Sequence, residues 1–213
     1  MEYMTTFINF ILHLNIHLNN VIDHMGGWSY VILFIVIFVE TGVVIFPLLP
    51  GDSLLFTAGY LSSVNELNIA YLLVSLIIAA AVGNSINYLI GRWLGPKVFH
   101  FPQSRWFKPI YLHKAHFFYE KYGGRAVMLA RFIPIIRTFV PFVAGIAKMG
   151  WSRFQWPNIS SSIIWVAVIL YLGYSFGNVP IIAAHFSAIV IAIGVISILP
   201  IVIKIFKNQR NNT

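Results

Sequence analysis

Long apolar runs separated by short polar breaks dominate the chain. Residues 4–22 are apolar but interrupted by Asn and His, which predicts an amphipathic or membrane helix ending at a break over 23–27. From Trp28 through Tyr60 the chain is apolar again, apart from Glu40, Asp52 and a few small polar residues. A polar turn follows. Residues 69–90 then form a run long enough to cross a hydrocarbon core of about 30 Å. Residues 91–125 are polar, and 126–147 return to apolar character while holding Arg131, Pro134, Arg137 and Pro141. Two ordinary spans complete the pattern, over 159–176 and 181–203, with Pro180 between them. The predicted organisation is an N-terminal helix in 1–27, a core over 28–178, and a C-terminal span and basic tail over 179–213.

Composition decides the solvent. Hydrophobic residues make up 59% of the 213 and charged residues 9%, against about 25% charged in an average soluble domain. A soluble chain of this size cannot hide that much apolar surface, so the fold class is all-α, a polytopic integral membrane protein. There is no cysteine, which excludes disulfides, thiol catalysis and Cys-ligated metal. No Lys or Arg precedes the first apolar run, so no cleaved signal peptide is expected.

The charge pattern sets the topology. The net charge of +8 comes from 14 Lys+Arg and 6 Asp+Glu. Seven bases (Arg92, Lys97, Arg105, Lys108, Lys114, Lys121 and Arg125) fall in one block, and Lys204, Lys207 and Arg210 end the chain. Such clusters beside apolar segments mark the cytoplasmic side and touch anionic headgroups; they are not spread as a nucleic-acid face. If 92–125 is a cytoplasmic loop, Lys148 and Arg153 belong on the same side. Segment 126–147 then dips into the membrane and returns, with Pro134 or Pro141 breaking the helix at its tip. By the same logic, residues 29–62 form a second re-entrant hairpin from the opposite face, broken at Pro47–Gly51. The two halves share a short likeness, "LLPGDSLLFTAGYLS" against "PIIRTFVPFVAGIAK", each with a charge seven or eight residues before an Ala-Gly step. Paired broken segments of this kind point to a transporter binding site.

Glu40, Asp52, Arg131 and Arg137 therefore fall inside apolar segments. Each costs roughly 2.5–3.5 kcal/mol at mid-membrane, on the order of 10 kcal/mol together if unpaired, comparable with the stability of a whole domain. Two acids and two bases from opposed hairpins cancel most of that cost by meeting. A purely structural clasp is one reading of the set. For Asp52 another is the helix N-cap that "PGDS" suggests. Since buried ion pairs add little net stability over apolar packing, a functional role is the stronger reading.

Other motifs carry less. "GNSINYLIGRWLG" places Gly83, Asn87, Gly91 and Gly95 at four-residue intervals, a small-residue stripe suited to helix packing, with Arg92 at the headgroups. His113 and His116 have no metal-ligating neighbours, His185 reads as a packing residue, and Glu120 as a surface partner of Lys121 or Arg125. No metal or cofactor site is expected. The chain has no nucleotide loop, HExxH, GxSxG or nucleophile–base pair, so no enzyme is predicted.

The segments "FVETGVVIFPLLPGDSLLFTAGYL", "GNSINYLIGRWLG" and "FYEKYGGRAVMLARFIPIIRTFVPFVAGIAKM" resemble the signature segments of the DedA family, within the SNARE-associated Golgi protein (VTT domain) superfamily. The resemblance runs over roughly 28–178 and extends to "FINFILHLNIHL" and "YLGYSFGNVP" at the two ends. It implies a bacterial plasma- or inner-membrane protein with opposed re-entrant hairpins. It also implies a link to translocation of lipids such as undecaprenyl phosphate or phosphatidylethanolamine, and dependence on the proton motive force. It places the family's required acids and arginines on Glu40, Asp52, Arg131 and Arg137. The resulting expectation is a lipid translocase in which Arg131 and Arg137 hold a phosphate and Glu40 and Asp52 couple protons. A proton- or sodium-coupled small-solute transporter and a membrane scaffold are the rivals. The expected partners are membrane lipids, with a homo-oligomer left open.

Overall fold

The computed structural model describes residues 27–43, 51–64, 67–98, 122–131 and 134–177. These form six helices and no strand: α1 (Trp28–Gly42), α2 (Gly51–Ser63), α3 (Ile69–Val98), α4 (Gly124–Ala130), α5 (Pro134–Ile146) and α6 (Trp151–Gly177). The predicted N-terminal helix, most of the basic loop, Pro47, Pro50 and everything after Gly177 lie outside the described residues. So do His113, His116, His185 and Glu120.

Among the described residues, two helices are long and apolar enough to cross a bilayer, over Ile69–Leu94 and Trp151–Gly177. Both outrun the predicted spans. The first continues to Val98, past the predicted end at Ile90. The second begins at Trp151, so Arg153 is helical, and not part of a polar segment before the span. Of the two predicted break points in 126–147, only one acts. The chain turns at Arg131, and Pro134 opens α5, where a proline's missing N–H has no intrahelical partner to lose. Pro141 lies inside α5 without ending it.

The chain divides into two compact units. One is drawn from Met1–Val36, Leu48–Leu76 and Val166–Thr213, the other from Ile37–Pro47 and Ile77–Trp165. In the first unit α2 is buried almost all round; apart from Asp52 its residues are uncharged, and its polar groups are mostly Ser and Thr hydroxyls. It crosses α6 at closest approach. A side chain at Gly59 would strike the Leu170 carbonyl, and one at Gly173 would strike the Phe56 carbonyl. Near the start of α3, the Asn68 side chain accepts from the N–H groups of Ala70 (2.9 Å) and Tyr71 (3.3 Å). The Asn68 N–H donates to the Tyr30 hydroxyl at 2.8 Å. Asn68 thus caps α3 and ties it to α1. Asn68→Ala should lower stability by about 1 kcal/mol, read as a fall of about 3 °C in the thermal midpoint in detergent, and Asn68→Asp should restore the midpoint.

The second unit repeats that crossing. Gly145 of α5 abuts the Tyr88 carbonyl of α3, and Gly91 of α3 abuts the Phe142 carbonyl of α5. The spacing is the same in both units: a carbonyl at one position and a glycine three residues on, in "FTAG" and "FVAG" and in their partners "LYLG" and "YLIG". Around the second crossing Tyr88, Val127, Ala130, Val140, Ala144 and Phe154 form a buried core. Tyr88 stacks on Phe154 at 4.5 Å, and its hydroxyl donates to the Met149 carbonyl and accepts from Arg92 (2.9 Å). Arg92 is therefore engaged with its own helix. α5 ends in a Schellman turn. Met149 N–H bonds the Ala144 carbonyl and Lys148 N–H the Gly145 carbonyl, each at 3.0 Å. Lys148 takes the left-handed position (φ 54°) that glycine usually fills.

Candidate functional site

Three of the four predicted site residues converge within the second unit, and the reason begins with where each sits on its helix. Glu40 lies in the last turn of α1, at the negative end of the helix dipole, where an anion is disfavoured. Arg137 is the fourth residue of α5, near the positive end, where a cation is disfavoured. Each occupies the wrong end of its own helix and is compensated by the other: Arg137 Nη2 donates to Glu40 Oε1 at 2.5 Å. The pair is close to dry, with Glu40 2% and Arg137 12% exposed. Arg131 forms the C-cap of α4, a favourable place for a cation, and is also buried.

Trp165 of α6 joins the arginines. Both guanidinium carbons lie 5.0 Å from its ring centroid, within the range of a cation–π interaction. Glu40, Arg131, Arg137 and Trp165 line one cavity with Thr41, Thr138 and Asn84. It has room for about one water molecule. As it stands the cavity is too small for a phosphate.

Asp52 belongs to the other unit. It is half-buried in the first turn of α2, one residue inside the helix. That position suits an anion, but it is not the N-cap that "PGDS" suggests.

The sequence pattern did not single out Trp165, Thr41, Thr138 or Asn84. An aromatic in an apolar span reads as core. Asn84 did carry a signal, since a polar amide within a membrane span needs a partner. It donates to Asn158 Oδ1 at 2.9 Å. Asn158 in turn donates to the Ala81 carbonyl (3.0 Å) and to Gln155 Oε1 (3.0 Å). This buried network joins α3 to α6 beside the cavity. The stripe of Gly83, Asn87 and Gly91 does mediate packing: a side chain at Gly83 would meet Thr41 and the Phe38 carbonyl on α1.

Long apolar helices around a paired, buried charge cluster define a membrane-associated helical protein with a polar internal site. The VTT domain matches residues 49–175. The chain is 46% identical over 212 residues to Protein DedA of Escherichia coli K12, covering 99% of this chain and 97% of the relative. It is 40% identical over 184 residues to an uncharacterised membrane protein of Mycobacterium tuberculosis H37Rv, covering 84% and 81%. Against the inner membrane protein YqjA of E. coli K12 it is 31% identical over 188 residues, covering 85% and 81%. No solved structure matches it. The chain belongs to the DedA family of VTT-domain membrane proteins.

Proposed function

We propose that this protein moves a phosphate-bearing lipid between the leaflets of the bacterial cell membrane, as a multi-pass, non-enzymatic translocase coupled to protons. The observation that carries the reading is the convergence of Arg131 and Arg137 with the buried Glu40 around one cavity. Guanidinium forks match phosphate oxygens, and the positive end of α5 adds to the preference for an anion. Glu40 competes with the phosphate for Arg137. Protonating Glu40 removes that competitor, opens the small cavity and lets the headgroup bind; losing the proton restores the ion pair and expels the headgroup. Proton and lipid movements are thereby linked. The helix ends at Gly42 and Ala130, with new helices starting at Gly51 and Pro134, suit two re-entrant hairpins. Asp52 enters as a second proton-coupling group with its own test.

The assay is translocation of a fluorescent phosphate-bearing lipid in liposomes reconstituted with purified protein. Arg131→Gln should abolish it. Glu40→Gln and Asp52→Asn should each flatten its dependence on pH. A variant that kept the normal pH profile would remove that residue from the coupling.

A second reading gives Glu40 an ion to bind in place of Arg137, making the protein an ion-coupled transporter of small solutes. Proton or sodium flux without lipid movement in the same liposomes would select it.

A further inference from the structure

Asn87 lies on α3 between the two helix segments that carry the ion pair, and it is fully buried. Its amide nitrogen donates to two backbone carbonyls: Thr41 at 3.2 Å and Thr138 at 2.9 Å. Thr41 is the residue after Glu40, and Thr138 the residue after Arg137. Both acceptors are carbonyl oxygens, so only the NH2 side of the amide can face them.

Each carbonyl sits at a weak point of its helix. The Thr41 carbonyl is among the last four of α1, which have no intrahelical donor. In α5, Pro141 has no N–H to offer the Arg137 carbonyl, so the ladder is loosened one residue before Thr138. Neighbouring positions fix α3 on either side. One turn earlier Gly83 rests on α1, and one turn later Gly91 rests on the Phe142 carbonyl of α5. Asn87 Oδ1 is buried and finds no hydrogen-bond partner among the described residues. An acceptor left in that state is a cost, so the residue is explained by what its NH2 group does.

We propose that Asn87 is a positioning residue of the Glu40–Arg137 pair: its single amide group fixes the backbone of both partners and so sets the reach of the guanidinium to the carboxylate. The consequence for transport rests on the translocase reading above; the geometric role does not.

The test is a thermal-midpoint cycle on the full-length protein in detergent. Glu40→Gln, Arg137→Gln and the double variant are measured first with Asn87 present, then in the Asn87→Ala background. With Asn87 present the two substitutions should be non-additive by about 5 °C. In the Asn87→Ala background the non-additivity should fall to about 1 °C or less, because the partners are no longer held in register. If Asn87 only glued helices together, all midpoints would drop by one common amount and the coupling would persist; that result overturns the proposal. Should Asn87→Ala yield no folded protein, Asn87→Ser carries the same measurement. It keeps one donor but cannot span both carbonyls, so partial loss of coupling is expected, and an unchanged coupling again overturns the proposal. A lipid-translocation assay on the same samples separates the two claims. Coupling lost with Asn87→Ala, in a protein whose wild type moves no lipid, upholds the positioning role and removes the translocase.

Discussion

Arg137→Gln should destabilise the protein more than any other charge removal at the site, lowering the thermal midpoint in detergent by about 10 °C. The reason is Glu40. With 2% exposure, its carboxylate cannot recover hydration when Arg137 is removed, and breaking a buried pair costs about 3–5 kcal/mol. Its place at the negative end of α1 adds to the cost. Glu40→Gln should be milder, because Arg137 retains Trp165 at 5.0 Å and more access to water. The double variant Glu40→Gln/Arg137→Gln should recover most of the lost stability, since two neutral amides replace the pair. It should still fail to translocate lipid. Stability restored without activity is the pattern expected of a pair that serves binding. Activity restored along with stability would reduce the pair to a clasp.

The second large effect concerns the two helix crossings. Replacing a glycine inside a helix with alanine normally stabilises by about 0.5–1 kcal/mol. At Gly59, Gly91, Gly145 and Gly173 the sign should reverse. A Cβ at each would run into a backbone carbonyl of the partner helix, and backbone cannot yield as a flexible side chain can. Overpacking of this kind costs about 1–3 kcal/mol for alanine, more for valine. Gly145→Ala and Gly59→Ala should therefore each lower the midpoint by about 5 °C, and the valine variants should fail to fold. Gly150→Ala is the control, since nothing lies near its Cβ position. Because the same carbonyl–glycine spacing holds in both crossings, matched substitutions should cost similar amounts. A stabilised Gly145→Ala would show that α3 and α5 are not packed this closely.

Much of this could be read before any coordinates, and the physical reason is the cost of charge in an apolar setting. Glu40, Arg131 and Arg137 stand out because the surrounding residues make them expensive, so their need for partners follows from sign and cost; the same argument counted Asp52, which lies in the other unit, so which charges meet did not follow. The Ala-Gly steps at Ala58–Gly59 and Ala144–Gly145 were also legible as a likeness between the halves. Their partners were not. Gly91 and Gly173 face them from helices distant in sequence, and nothing local announces which carbonyl a glycine will meet. Trp165 stayed hidden for a similar reason, since only the fold distinguishes a ring beside two guanidinium groups from one in a core. Asn87 read as part of a packing stripe, which it is; that its two hydrogens reach Thr41 and Thr138 depends on where α1 ends and how α5 is loosened at Pro141. Pro141 itself shows the limit of treating every proline as a break, because α5 continues through it.

Native mass spectrometry of the protein purified in mild detergent tests the central claim most directly, namely that an anionic headgroup binds where Arg131 and Arg137 meet Glu40. A phosphate-bearing lipid should remain bound to Glu40→Gln, which mimics the protonated acid, and to a Glu40→Gln/Arg92→Gln control, and should be lost from Glu40→Gln/Arg131→Gln and from Glu40→Gln/Arg137→Gln. The same lipid at the same occupancy on all four proteins would contradict the account.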